Sequence, residues 1–233
     1  MELMKIRDLL KKNTVLATFF REKGIDFANS GEDNLAEALD KKGYDRKNFI
    51  SEMEDFMNGD HEERHLTEEL VNLPLTELLL HLQMTHHVRE RELLFEIDRL
   101  LNKSMLLNYE KLATELISLH RLFSTFKSEI EVHYLIEDKK IFPVLYNAVS
   151  DGGSLEKGRK DLKILEEDHK GVGEIIDSMR KLTKDFKAPQ DGDLTVARTY
   201  ELIGELIDSV LIHMYLENYI LMDALELEQK KLG

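Results

Sequence analysis

Apolar residues recur at helical spacing along most of the chain, first in short runs and then in long ones. In the first sixty residues, Thr14 is placed to cap a helix through Leu16, Phe19 and Phe20 that stops at Gly24. A link from Ile25 to Gly31 leads to a second short helix with Leu35, Ala36, Ala38 and Leu39, ending at Gly43. Asp45 is placed to cap a third, with Phe49, Ile50, Met53 and Phe56 on its apolar face. These positions predict a small helical N-terminal domain over 1–60, whose core is too small to stand without support. Residues 61–74 read as a linker, with His61 and His65 solvated.

From Pro74 the pattern lengthens. Long helices are predicted over about 75–101, 107–147, 155–186 and 194–229, the second bent near its end by Pro143. The Ser150–Ser154 and Ala188–Asp193 stretches are the clearest turns. Four long helices with short connections predict an all-α fold, an antiparallel up-down-up-down four-helix bundle over 75–233.

The chain has no cysteine, which excludes disulfides, thiolate metal sites and a cysteine nucleophile. Any metal must take nitrogen and oxygen ligands. A net charge of −14 leaves no basic field for nucleic acid or an anionic membrane. The opening MELMKIRDLLKKN lacks the apolar core and cleavage site of a signal peptide. No apolar run approaches the ~20 residues of a membrane span. A soluble, cytoplasmic protein is expected.

Two segments carry the chemistry: His133-x-x-x-Glu137 and His213-x-x-x-Glu217. On a helix, residues four apart stack on one face, so each pair can bind one metal ion or span two. Incidental His–Glu hydrogen bonds are the plain alternative. Height counting bears on the choice, because residues equally far from a turn in an antiparallel pair lie level. His133 is 18 residues before position 151 and His169 is 18 after. Around position 190, His169 is 21 before and His213 is 23 after; around 107, His81 and His133 are each 26 away. One layer of His81, His133, Glu137, His169, His213 and Glu217 is therefore the candidate metal site. Nitrogen and carboxylate ligands in this mixture suit iron or manganese, and zinc less selectively. Glu137 and Glu217 would bridge two ions, with the histidines outside.

His81 also suits a hydrogen-bonded core position. His86 and His87 lie about 140° and about 240° around a regular helix from it, so they read as surface or supporting groups, with an entry path as the alternative role for His87. His120 is off the ligand face. Glu166, Asp168, Glu129 and Glu131 are either acceptors for a ligand imidazole or a wet face. Tyr134, Tyr215 and Tyr219 read as structural hydrogen-bonding groups, and Gly171 and Gly173 as points of close helix approach.

His133-x-x-x-Glu137-Asp138-x-x-Ile141-Phe142-Pro143, Glu166-x-x-His169-x-x-x-Gly173 and His213-x-x-x-Glu217-Asn218-x-x-Leu221 resemble the hemerythrin-like cation-binding domain. Leu16…Phe20-x-x-x-Gly24-Ile25-Asp26-Phe27, then Leu35-x-x-Ala38, resembles the N-terminal domain of the iron-sulfur cluster repair di-iron proteins, the RIC family. The resemblance implies a non-haem di-iron protein that restores iron-sulfur clusters damaged by nitric oxide or oxidants, by delivering iron or reducing NO. Its alternative is a hemerythrin-like protein that binds or senses oxygen, NO or iron without catalysis. The implied partners are NO or O2 and damaged iron-sulfur proteins, with a second copy of the chain also admissible. Three departures stand out. Ala28-Asn29 replaces the family's cysteine pair, Asn102–Met105 lacks a further ligand histidine, and Leu221-Met222-Asp223 stands where Phe-Pro is usual.

Overall fold

The computed structural model describes residues 1–59 and 66–232. His61, His65 and the first part of the expected linker lie outside the described residues. The described residues form helices and no strand, as the pattern predicted; the one β-bridge, Lys5 with Asn34, is isolated. They fall into two compact units, one of Met1–Leu78 with Leu211–Lys231, the other centred on Leu79–Val210.

In the first unit the N-terminal helices are α1 (Ile6–Lys12), α2 (Leu16–Glu22), α3 (Leu35–Lys42) and α4 (Arg46–Met57). The sequence pattern missed α1. Its Ile6, Leu9 and Leu10 are buried, as are Phe20, Phe27 and Leu35 of the same unit. Asp45 caps α4 by accepting from the Asn48 N–H at 2.8 Å, as expected. Thr14 does not cap α2, whose first flanking residue is Val15 in helical conformation. Asn34 caps α3 in a reciprocal box with Glu37. Gly24 and Gly43 end α2 and α3 in the left-handed region that favours glycine.

The C-terminal residues of this unit belong to the last long helical rod: α10 (Leu194–Tyr215), a π-turn (Leu216–Leu221) and α11 (Met222–Leu232). Tyr215 Oη donates to the Arg7 carbonyl at 3.1 Å, and Asn218 Nδ2 to the Ala28 carbonyl at 2.9 Å. The Gly31 N–H donates to Tyr219 Oη at 2.8 Å, and Lys11 pairs with Asp223.

The second unit is a four-helix bundle. Its first rod begins in α5 (Leu75–His81), passes through a π-turn (Leu82–His87) and continues as α6 (Val88–Leu107). The second rod is α7 (Tyr109–Ile136), a π-turn (Glu137–Ile141) and α8 (Phe142–Asp151). Next comes α9 (Glu156–Thr183), followed by α10 up to Val210. The interruption expected at Pro143 is taken up by the π-turn just before it, so the rod continues into α8. Asn102–Met105, expected near a connection, lies within α6. Ser104 holds that turn to α10 through Thr199 at 3.1 Å, and the chain reverses at buried Asn108.

Stripes with alternating steps of three and four make the core. On α7 and the π-turn after it they are Leu116, Leu119, Phe123, Phe126, Ile130, His133 and Glu137; on α9, Leu162, Leu165, His169, Val172, Ile176, Met179 and Thr183. All are buried, and this spacing is the seam of a left-handed bundle. The candidate ligands are therefore core positions occupied by polar groups.

Gly171 departs from its expected role. It is exposed, and a Cβ there would meet nothing within 4 Å, so no helix approaches it closely. Gly171→Ala is expected to raise stability by up to ~1 kcal/mol through helix propensity alone, read from the denaturant midpoint. A loss of stability would mean that the glycine has a packing role.

Candidate metal centre

In the bundle unit, four candidate or neighbouring residues meet. His133 on α7 and His169 on α9 face each other with Nε2 atoms 3.1 Å apart. Their midpoint in sequence is residue 151, the centre that the height counting assumed. Glu137 Oε2 lies 3.3 Å from His133 Nε2 and 3.3 Å from His87 Nε2. His87 and Glu137 are fully buried, and His133 and His169 nearly so.

His87 is the residue the sequence reading placed in a supporting role. Its ring stacks on Tyr134 (4.4 Å between centroids, 14° between planes) and on Phe142 (5.8 Å, 16°). Its Nδ1 faces Asp138 Oδ1 at 2.8 Å. A carboxylate at that nitrogen favours a proton there, so Nε2, the atom toward Glu137, is the one a metal ion would take from the imidazole. Burial would raise the Asp138 pKa, but the hydrogen bond and charge of His87, with Arg91 and Gln83, outweigh it and bring it down to about 2. Asp138 is thus ionised and able to orient the imidazole.

His81 is only half-buried. Its ring meets His86 edge-on at 5.3 Å, and it belongs to none of the groups of converging ligand atoms among the described residues. The sequence count reached it because the chain was assumed to reverse level about position 107. The side-chain pairs Asp98–Lys127, Glu90–Tyr134 and His87–Glu137 instead share a midpoint at about residue 112. That offset moves the histidine nearest the layer from position 81 to 87. The π-turn Leu82–His87 also breaks the 100° per residue that set His87 off the ligand face. A usable signal was present. Counting back by fours and threes from Leu101 through Ile97, Leu94 and Glu90 lands on His87.

Beside this group lies a second buried polar cluster. Glu90 accepts from Tyr134 Oη and from Ser209 Oγ (2.6 Å), and its Oε1 lies 3.0 Å from His86 Nδ1. Arg91 sits over the Tyr134 ring at 5.2 Å. His86, read from the sequence as a surface or supporting group, is buried here. Asp168, Glu129 and Glu131 are exposed, the wet-face alternative, while His120 and Glu166 are half-buried.

The other unit holds the remaining pair. His213 Nε2 lies 2.8 Å from Glu217 Oε1, and both residues are buried. Glu217 sits in the first turn of the π segment Leu216–Leu221. Tyr134, Tyr215 and Tyr219 all make hydrogen bonds, as the structural reading of these tyrosines requires.

The hemerythrin HHE cation binding domain, as a family profile, matches residues 78–229. The chain belongs to the hemerythrin HHE family. It is similar to the iron-sulfur cluster repair protein ScdA of Staphylococcus haemolyticus (strain JCSC1435), 25% identical over 207 residues that span 89% of this chain and 90% of that protein. It is also similar to the iron-sulfur cluster repair protein YtfE of Yersinia pestis (strain Pestoides F), 28% identical, and of Yersinia pseudotuberculosis serotype O:1b (strain IP 31758), 27% identical. Each of those matches covers 87% of both chains. A match of 207 residues is longer than the bundle, so the likeness to the repair proteins extends into the N-terminal helices.

The donor set fits a cation-binding hemerythrin domain. Two ligands at right angles on one ion, each about 2.1 Å from it, sit roughly 3 Å apart. The His133–His169, His87–Glu137, His133–Glu137 and His213–Glu217 separations of 2.8 to 3.3 Å all match that edge. His87→Ala is expected to cut the metal content of the purified protein by half or more, whereas His81→Ala leaves it unchanged; elemental analysis reads both. The reverse order would return the first-rod ligand to position 81.

Proposed function

We propose that this hemerythrin-family chain is a non-haem di-iron protein that repairs iron-sulfur clusters damaged by nitric oxide or oxidants, by delivering iron or reducing NO. The observation that carries the reading is a buried set of imidazoles and carboxylates at ligand-edge spacing in a chain that matches repair proteins over most of its length. His87, His133, Glu137, His169, His213 and Glu217 hold the ions in this reading, with His87 in the place first given to His81. Glu137 and Glu217 would supply the carboxylate ligands.

Two iron ions in this set would supply one-electron redox change and a binding position for NO or O2. The chain's own residues do the rest. Asp138 keeps the His87 proton on Nδ1, which commits Nε2 to ligation. Tyr134 and Phe142 stack near-parallel to that ring, which is fully buried from water. Damaged iron-sulfur proteins are the partners, in the cytoplasm. No described helix is long and apolar enough to cross a membrane.

A second reading is a protein that binds or senses oxygen, NO or iron without catalysis. It is favoured by Ala28 and Asn29, which leave no thiol where the repair family carries its cysteine pair. One experiment separates the two. Iron-loaded protein is added to an enzyme whose cluster has been damaged with NO, and activity is followed. The repair reading expects recovery that Glu137→Ala abolishes. Stoichiometric NO binding with no recovery would move the assignment to the second reading.

A further inference from the structure

The helical turn around Glu217 is held from its other side. His213 and Glu217 turn toward each other, while Tyr215, Asn218 and Tyr219 turn toward the N-terminal segment. Each of these three side chains bonds backbone of the N-terminal segment: Tyr215 to Arg7, Asn218 to Ala28 and Tyr219 to Gly31. The acceptors and donor are main-chain groups of a compact helical core, so they are fixed points rather than mobile side chains. Phe27 adds an edge-on contact with Tyr215 at 6.1 Å, and Arg7 lies over the Tyr219 ring at 5.9 Å. One helical turn further on, Lys11 pairs with Asp223.

The fit is close. A Cβ on Gly31 would come within 2.5 Å of the Tyr219 ring, so only glycine lets the loop reach the helix there. Ala28 is fully buried while its carbonyl takes the Asn218 amide. The bonded residues bracket Glu217 in a π-turn, where the wider ring of backbone bonds is less regular than an α-helix and needs outside support to keep one geometry.

We propose that Asn218 and Tyr219 are positioning residues for Glu217, through which the N-terminal helices set how firmly the metal is held. The claim rests on Glu217 being a ligand, as in the function proposed above. Displacing this turn by a fraction of an ångström changes the carboxylate's reach, and a misplaced ligand loosens a metal before it unfolds a helix. The N-terminal segment then serves the centre mechanically, with no thiol of its own.

The test uses full-length, iron-loaded protein challenged with excess ferrous chelator under reducing conditions. Asn218→Ala, Tyr219→Phe and Gly31→Ala are expected to release iron at least fivefold faster than the parent and to shift the near-ultraviolet bands of the oxidised centre. Phe49→Leu, which loosens the N-terminal core against Phe19 away from this turn, is expected to lower the unfolding midpoint without changing release or spectrum. Unchanged release in Asn218→Ala and Tyr219→Phe, or equal acceleration in Phe49→Leu, overturns the positioning role. Full iron retention by Glu217→Ala overturns the ligand assignment instead, and the positioning role falls with it.

Discussion

A carboxylate with no solvent contact, set between imidazoles in a seam of leucine, isoleucine and phenylalanine, is the constraint on which the bundle depends. Glu137 occupies the next core position after Ile130 and His133, where the spacing of α7 calls for an apolar side chain. His169 interrupts the seam of α9 in the same way. Burying an ionised carboxylate costs several kcal/mol unless it is paired or ligated. A cation answers the carboxylate charge and the imidazole lone pairs together, which packing alone cannot do. The apolar layers above and below fix the depth at which that can happen.

In each unit the chain spends irregular backbone and outer polar groups on orientation. π-Turns interrupt the first, second and fourth rods beside His87, Glu137 and Glu217, and such bulges re-aim side chains that a regular helix would place elsewhere. Asp138 and the stacked rings of Tyr134 and Phe142 fix His87, and hydrogen bonds with the N-terminal segment hold the turn of Glu217. Ala28, fully buried, is a packing and acceptor site in that brace.

Much of this was legible in the order of residues. Heptad-like spacing predicted the four rods, and the reversal near 151 placed His133 opposite His169 correctly because that turn is marked by glycines. The first reversal has no such mark. Its register is set by pairs such as Asp98–Lys127 and Glu90–Tyr134, so a count about position 107 reached His81, whereas the core stripe of α6 leads back to His87. Helix α1 was missed because it starts after Lys5, which offers no side-chain cap, and ends without the glycine that marked the ends of α2 and α3. Asp138 was read as part of a motif without a role, since its link to His87 spans 51 residues.

The most direct test of the account is the unfolding midpoint of the purified protein with and without its metal, in one buffer at one protein concentration. Removing iron with a chelator should lower the denaturant midpoint by the equivalent of about 3 kcal/mol or more, and adding iron back should restore it. Identical midpoints for the metal-free and iron-loaded protein, with elemental analysis confirming the two states, would contradict it. The buried histidines and glutamates would then be satisfied by the protein alone.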